Sequence, residues 1–163
     1  MARLSERVWV QEDATKENDF RCFHHTRHVI FRFIACNRDP RRFYSRPSWA
    51  VWERMLLPVI AKAAAPYEFV APVYPKVMLA RLEAGHRIDL HVDGEGSHPL
   101  THKVHVPLET NPAAVLQVDG ADFHLAAGRA FEVNNLVPHG AFNGGASDRI
   151  HLIFEVFEGA GVA

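Results

Sequence analysis

The sequence predicts a mainly β fold, a jelly roll of two sheets with an N-terminal helical segment packed on one of them. Three observations lead there. From Val77 onward, short apolar or alternating stretches recur about every ten residues, closed by turn residues such as Ala84-Gly85, Asp93-Gly94-Glu95-Gly96, Thr110-Asn111-Pro112, Asp119-Gly120 and Gly144-Gly145. No long helical pattern interrupts them, which argues against a parallel βαβ fold. The chain has 163 residues, 48% hydrophobic and 23% charged, enough to build one core without disulfides or metal. A single domain over residues 1–163 is expected, with residues 1–75 as an N-terminal part and residues 76–158 as the β core.

Taken in order, the first twenty residues are polar and weakly patterned. His28 to Ala35 is β-branched and aromatic and predicts a strand. Arg38 to Pro47 predicts a loop, whose Arg38, Arg41, Arg42 and Arg46 form either a docking surface for an anionic group or a solvated stretch. A helix should follow with Ser48 as N-cap, because Trp49, Trp52, Leu56, Val59 and Ala63 recur at roughly helical spacing. Pro58 should kink it or end its first half, since proline lacks the N–H donor. Eight strands are then expected: Val77–Leu82, Ile88–Val92, Lys103–Leu108, Val115–Val118, Asp122–Leu125, Ala130–Asn134, Gly140–Phe142 and Ile150–Phe157.

Charge and cysteine content narrow the function classes. Eighteen Lys+Arg against nineteen Asp+Glu leave a formal charge of -1, which disfavours a dedicated nucleic-acid binder. Cys22 and Cys36 match neither a zinc pattern nor a disulfide framework. The start, Met1-Ala2-Arg3-Leu4-Ser5-Glu6-Arg7, lacks an apolar signal region, and no stretch of about 18 apolar residues exists. The expectation is a cytoplasmic protein without nucleic-acid or membrane partners. Histidine is the anomaly, with eleven copies in a residue type suited to metal binding and acid–base work.

His91 and Asp93 stand two apart on an expected strand, so both project from one face and can offer a nitrogen and an oxygen to one metal. His139, 46 residues further on, can return to the same mouth of a jelly roll as a third ligand. Two histidines and one carboxylate leave open coordination positions, the arrangement of non-haem Fe(II) oxygenases. Zinc would accept the same set. Arg149, ten residues after His139, shares a strand face with His151, while Ile150, Leu152 and Phe154 take the other. A buried arginine needs an anion, either a bound acid or a protein carboxylate such as Asp148 or Glu155. Lys103 and His105 form another same-face pair, which either lines the same pocket or faces the surface. His24, His25, His28, His86, His98 and His102 are expected as surface or entrance residues, and Asn134 and Asn135 as turn residues.

From about Val77 to Phe157 the chain resembles the aspartyl/asparaginyl β-hydroxylase family of Fe(II)/2-oxoglutarate-dependent dioxygenases. The resemblance rests on Leu82-Glu83-Ala84-Gly85, His91-Val92-Asp93-Gly94, His102-Lys103-Val104-His105-Val106-Pro107-Leu108, Asn111-Pro112, Pro138-His139-Gly140-Ala141-Phe142-Asn143 and Asp148-Arg149-Ile150-His151-Leu152, in that order. It implies a double-stranded β-helix, the cupin-like jelly roll. It implies Fe(II) held by His91, Asp93 and His139, and 2-oxoglutarate bound with its far carboxylate on Arg149 and with help from Lys103 and His105, where the family usually has Arg-x-His. It implies O2-dependent hydroxylation of an amino-acid or peptidyl (Asp/Asn-like) substrate, with 2-oxoglutarate decarboxylated to succinate and CO2. Competing readings are a cupin-type metalloenzyme that does not use 2-oxoglutarate and a metal-holding β-sandwich binding module. The cupin reading is opposed by the absence of a His-x-His ligand pair.

Overall fold

The structure is a computed structural model that describes residues 4–17, 20–93 and 96–159. Gly94 and Glu95 of the expected turn after Asp93, and the Met1-Ala2-Arg3 start, lie outside the described residues. Helix α1 (Glu6–Asp13) is followed by β1 (Thr26–Ile34), β2 (Phe43–Ser45) and α2 (Pro47–Ala64). The eight later strands are β3 (Pro72–Leu82), β4 (Arg87–His91), β5 (His102–Glu109), β6 (Ala114–Val118), β7 (Ala121–Phe123), β8 (Phe131–Glu132), β9 (His139–Asn143) and β10 (Arg149–Glu158). All eight expected strands are present, with shifted ends, and every strand pairing is antiparallel.

The strands form two sheets, a six-stranded one in the order β2-β1-β3-β10-β5-β8 and a four-stranded one in the order β4-β9-β6-β7. This is the expected jelly roll. The N-terminal strands β1 and β2 extend the larger sheet through the β1–β3 pairing, so they complete a face of the core's own sheet.

Alternation along the central strands sends residues to two different interiors. Leu152, Phe154 and Val156 of β10, Val104 and Val106 of β5 and Leu79 of β3 pack outward against Trp9 of α1 and Trp49, Leu56, Ile60 and Ala64 of α2. The opposite face carries Ile30, Phe33, Met78, Ala80 and Ile153, which close over the space between the sheets. At the far end of that space Leu82, Leu116, Leu125, Val133 and Ala141 seal the two sheets together.

Three local expectations need correction. The polar N-terminus contains α1, whose one buried residue, Trp9, lies under the Arg81 guanidinium at 4.9 Å. The arginine loop contains the short strand β2. Helix α2 starts at Pro47 with Arg46 as N-cap and no side-chain cap, while the buried Ser48 hydroxyl has no partner among the described residues. Proline at the first helical position needs no N–H and so opens the helix itself. Pro58 lies inside the 18-residue helix and does not end it. Two of the four loop arginines are engaged within the protein: Arg41 with Asp39, and Arg46 with Glu17 and Thr15. No helix among the described residues is long and apolar enough to cross a membrane.

Candidate active site

His91 ends β4 and His139 opens β9, and the two stand opposite each other in the antiparallel register. Their ring centroids are 4.3 Å apart. Gly140 lets the strands approach this closely, because a Cβ there would meet the Ile88 carbonyl oxygen at 2.8 Å.

Each ring is held in one tautomer by its own chain. His91 Nδ1 donates to the Asp89 carbonyl at 2.8 Å, and His139 Nδ1 donates to the Val137 carbonyl at 3.0 Å. A proton on Nδ1 leaves the Nε2 lone pair free, and a backbone acceptor behind a ring is the usual support of a metal-ligating histidine. Both Nε2 atoms face Asp93 Oδ1, at 3.6 Å for His91 and 3.8 Å for His139. The three candidate ligand atoms all lie within 4.8 Å of one another. A divalent metal about 2.1 Å from each would draw Asp93 Oδ1 closer to each Nε2 by less than about one ångström.

Asp93 is gripped from the opposite side. Its Oδ2 accepts from Lys103 Nζ and, at 2.9 Å, from Asn135 Nδ2, and its backbone N–H donates to the Asn135 carbonyl at 3.1 Å. Burial pushes the carboxyl up, but the Lys103 ammonium and the Asn135 amide outweigh it and hold Asp93 well below the usual carboxylate range. Oδ1 is thereby an ionised oxygen with a fixed direction. His139 is held below the usual histidine range by burial, against its bond to the Val137 carbonyl, which favours the proton.

Arg149, at the start of β10, is 3% exposed. The two protein carboxylates that were the alternative to a bound acid are engaged elsewhere. Asp148 accepts from the Ala84 N–H and stands near Arg81, and Glu155 is paired with Lys76 at 2.6 Å. Among the described residues Arg149 has no ion-pair partner, and its buried Nε has no hydrogen-bond acceptor. Burial alone lowers its pKa to about 10, so the guanidinium stays charged at neutral pH.

His91, Asp93, His139, Arg149, Lys103 and His105 all line one cavity of about 110 Å³ between the sheets. The expected same-face pair therefore points inward, with Lys103 resting on Asp93 in this structure. His105 Nδ1 meets His151 Nδ1 at 3.3 Å, and both rings stay neutral because burial, reinforced by nearby cations, pushes them well below the usual range.

The far end of the cavity carries polar groups that the sequence did not single out as site residues. Lys76 Nζ donates to Glu155 and to Asn37 Oδ1, Thr101 donates to Glu155, and His98 lies between the Asn37 and Asn135 side-chain amides. Phe20, Phe23, Phe33, Met78 and Ile153 supply the apolar lining. Asn135 and His98, expected as turn and entrance residues, are buried. Their signal was weak, because each acts on residues far away in the chain.

Comparison with known proteins agrees with this architecture. A 2OG-Fe(II) oxygenase-family oxidoreductase from Burkholderia pseudomallei superposes with a TM-score of 0.59 at 15% identity, covering 82% of this chain and 69% of that one. The protein TT1209 from Thermus thermophilus gives 0.40 at 26% identity, covering 56% and 86%. A cupin domain from Bordetella pertussis gives 0.40 at 19% identity, covering 53% and 91%. The first of these shows a shared fold. None of the curated proteins matches the chain. The family model for aspartyl/asparaginyl β-hydroxylases matches residues 53–158, from α2 through β10 and across every ligand candidate above. The chain belongs to the aspartyl/asparaginyl β-hydroxylase family.

Proposed function

We propose that the protein is an Fe(II)- and 2-oxoglutarate-dependent dioxygenase that hydroxylates an amino-acid or peptidyl substrate, with 2-oxoglutarate converted to succinate and CO2. The observation that carries this reading is Arg149, a buried cation without a counter-ion among the described residues, on the wall of the cavity that also holds two oriented Nε2 lone pairs and an ionised carboxylate oxygen. A buried unpaired charge is costly, so a guanidinium kept this way fits a dianionic ligand whose far carboxylate completes it.

The donor set of two imidazoles and a carboxylate suits Fe(II), which His91, Asp93 and His139 would hold. Bound there, iron would supply the activation of O2 and the decarboxylation of the cosubstrate. The chain's own residues do the rest. Lys103 and Asn135 keep Asp93 ionised and aimed, and the Asp89 and Val137 carbonyls keep both histidines in the ligating tautomer. Arg149 holds the far carboxylate, with the neutral His105 beside it. The phenylalanines, Met78 and Ile153 exclude water around the reacting groups.

Arg149 and Glu155 sit six residues apart on β10, about 20 Å along the strand. The cavity thus has a cosubstrate end at Arg149 and a second polar end at Lys76, Glu155, His98 and Asn37. At that second end Lys76 and Glu155 neutralise each other, and with His98 and Asn37 they form a polar wall beside which the polar groups of an amino-acid-like substrate would be held.

The test is 2-oxoglutarate consumption and succinate release under Fe(II) and ascorbate, across a panel of amino acids and short peptides. Substrate-stimulated succinate is expected. Arg149→Gln should raise the KM for 2-oxoglutarate by roughly ten- to a hundredfold, the loss of a charge-assisted bidentate contact, and Arg149→Lys should retain part of it. A wild type that never consumes 2-oxoglutarate, or an Arg149→Gln protein with unchanged KM, would overturn the assignment.

A further inference from the structure

We propose that the chain carries a second site for a zinc-class divalent transition metal, built from His25, Glu83 and His86 and separate from the cavity between the sheets. One donor atom from each of the three lies within 4.8 Å of the others, and all three residues are half-buried. An ion there would be partly desolvated yet reachable from solvent.

The backbone presents these side chains from a fixed frame. His25 immediately precedes β1, and Glu83 and His86 flank the turn from β3 to β4. The Glu83 N–H donates to the His25 carbonyl at 3.3 Å, tying the two segments together. Within the turn, Gly85 adopts φ 76°, a left-handed conformation that favours glycine, and its N–H donates to the Asn143 carbonyl at 2.8 Å. Asn143 in turn donates its N–H to the His86 carbonyl at 2.9 Å and its Nδ2 to the Glu83 carbonyl at 3.3 Å. The main chain is therefore set before an ion arrives, and binding needs only side chains to be ordered.

The side chains are available. The His25 and His86 rings stack with centroids 3.7 Å apart and 23° between planes, with the His24 ring 4.3 Å from His25. Neither the His25 nor the His86 ring makes a hydrogen bond among the described residues. A metal must lie in the plane of each ring it binds, so a stacked pair chelates only after one ring turns. Rotation about histidine χ2 is a soft torsion, which makes that turn inexpensive. Glu83 is only loosely engaged: Arg27 stands 3.6 Å away and has a closer partner in Glu6.

Two imidazoles and a carboxylate with an open fourth position are a zinc-type donor set, which Ni(II) or Cu(II) also satisfies. Magnesium and calcium prefer all-oxygen shells and should be rejected. The site also has a neighbour in the cavity. Phe23, two residues before His25, lines it and packs edge-on against the His91 ring at 5.4 Å. An ion joining His25 to the β3–β4 turn would tether that covering segment to the strand carrying His91.

The experiment is Zn(II) titration of the metal-stripped full chain by calorimetry, with metal counted after gel filtration. His25→Ala, His86→Ala and Glu83→Gln are compared with their parent, once in the wild type and once in a His139→Ala background. Loss of one zinc equivalent is expected for His25→Ala and His86→Ala in both backgrounds, whatever the cavity triad does. Glu83→Gln keeps both imidazoles and a near-isosteric side chain, and should weaken this equivalent by at least about tenfold, the lower limit for losing even an indirect partner of a ligand. Unchanged zinc stoichiometry and affinity in His25→Ala and His86→Ala, or no effect of Glu83→Gln on zinc binding, would overturn the proposal.

Discussion

Asn135 works on a residue 42 positions away. Its side-chain amide donates to Asp93 Oδ2 and contacts His98 Nδ1, and its carbonyl takes the Asp93 N–H, so one side chain and its own backbone fix a carboxylate from two directions. Asn135→Ala should leave the fold intact, release the Asp93 rotamer and weaken Fe(II) or Co(II) affinity by roughly ten- to a hundredfold, the usual cost of losing an outer partner of a ligand. Metal titration of the variant checks this, and wild-type affinity would mean that Lys103 alone suffices to aim Asp93. Strand β4 ends at His91, so Asp93 reaches the same mouth from beyond the strand and not by strand alternation. The shared face of Arg149 and His151 was legible, because a two-residue period within β10 needs only neighbours in sequence. Asn135, His98 and the Lys76–Glu155 pair were not. Their partners lie 37 to 79 residues distant, and no local pattern marks a side chain whose purpose is set by a remote strand. Asp148 and Glu155, the protein alternatives to a bound acid for Arg149, are close to it in the chain, but Arg81 and the Ala84 N–H engage the one and Lys76 the other.

The helices show the same divide at the level of elements. Helix α2 was legible from the roughly helical recurrence of Trp49, Trp52, Leu56, Val59 and Ala63, but the stripe buried on the larger sheet is Trp49, Leu56, Ile60 and Ala64, and Val59 is exposed. Helix α1 was not, since only Trp9 is buried and Val8 and Val10 are its only other apolar residues. Tertiary contacts fix it. Glu6 receives two hydrogen bonds from Arg81 at 2.7 and 2.9 Å, Trp9 lies beneath the same guanidinium, and Asp13 accepts the His28 N–H at 2.8 Å. Helix α1 lies outside the residues matched by the family model, yet Trp9 belongs to the same apolar cluster as Phe31, Leu152 and Phe154. Trp9→Ala should therefore cost about 3–5 kcal/mol, as expected for deleting a buried aromatic side chain. Urea denaturation of the metal-free variant measures it. A loss below about 1 kcal/mol, the range of surface substitutions and small adjustments, would show that α1 docks only loosely.

For the molecule as a whole, the interior between the sheets is unusually rich in neutral imidazole, and this sets its response to acid. His28, His98, His105 and His151 are all buried, and burial comes first among the causes that push each below the ordinary histidine pKa. The cations Lys103 and Arg149 add to this at His105, and Arg149 adds to it at His151. When the chain unfolds, these histidines return to about 6.5. Below that pH the unfolded state binds more protons than the folded one, so stability present above about pH 6.5 is lost as the pH falls toward the folded-state values. The paired carboxylates act lower down. Asp13 is held at about 2, with burial opposing and its bonds to His28 and Lys16 prevailing. Its contribution persists until the pH drops through the range from its unfolded value of about 4 to that folded value. Between pH 7 and 5 the histidines therefore dominate the slope. Two fully neutral imidazoles, His105 and His151, would tilt stability by about 2–3 kcal/mol per pH unit once the pH is well below 6.5. Urea midpoints of the metal-free protein should be level above about pH 7 and fall steadily toward pH 5, with a shallower fall in His105→Gln, which removes one titrating ring. Midpoints that hold constant or rise as the pH drops from 7 to 5 would mean that these histidines are protonated inside the fold and that the buried neutral pair does not exist.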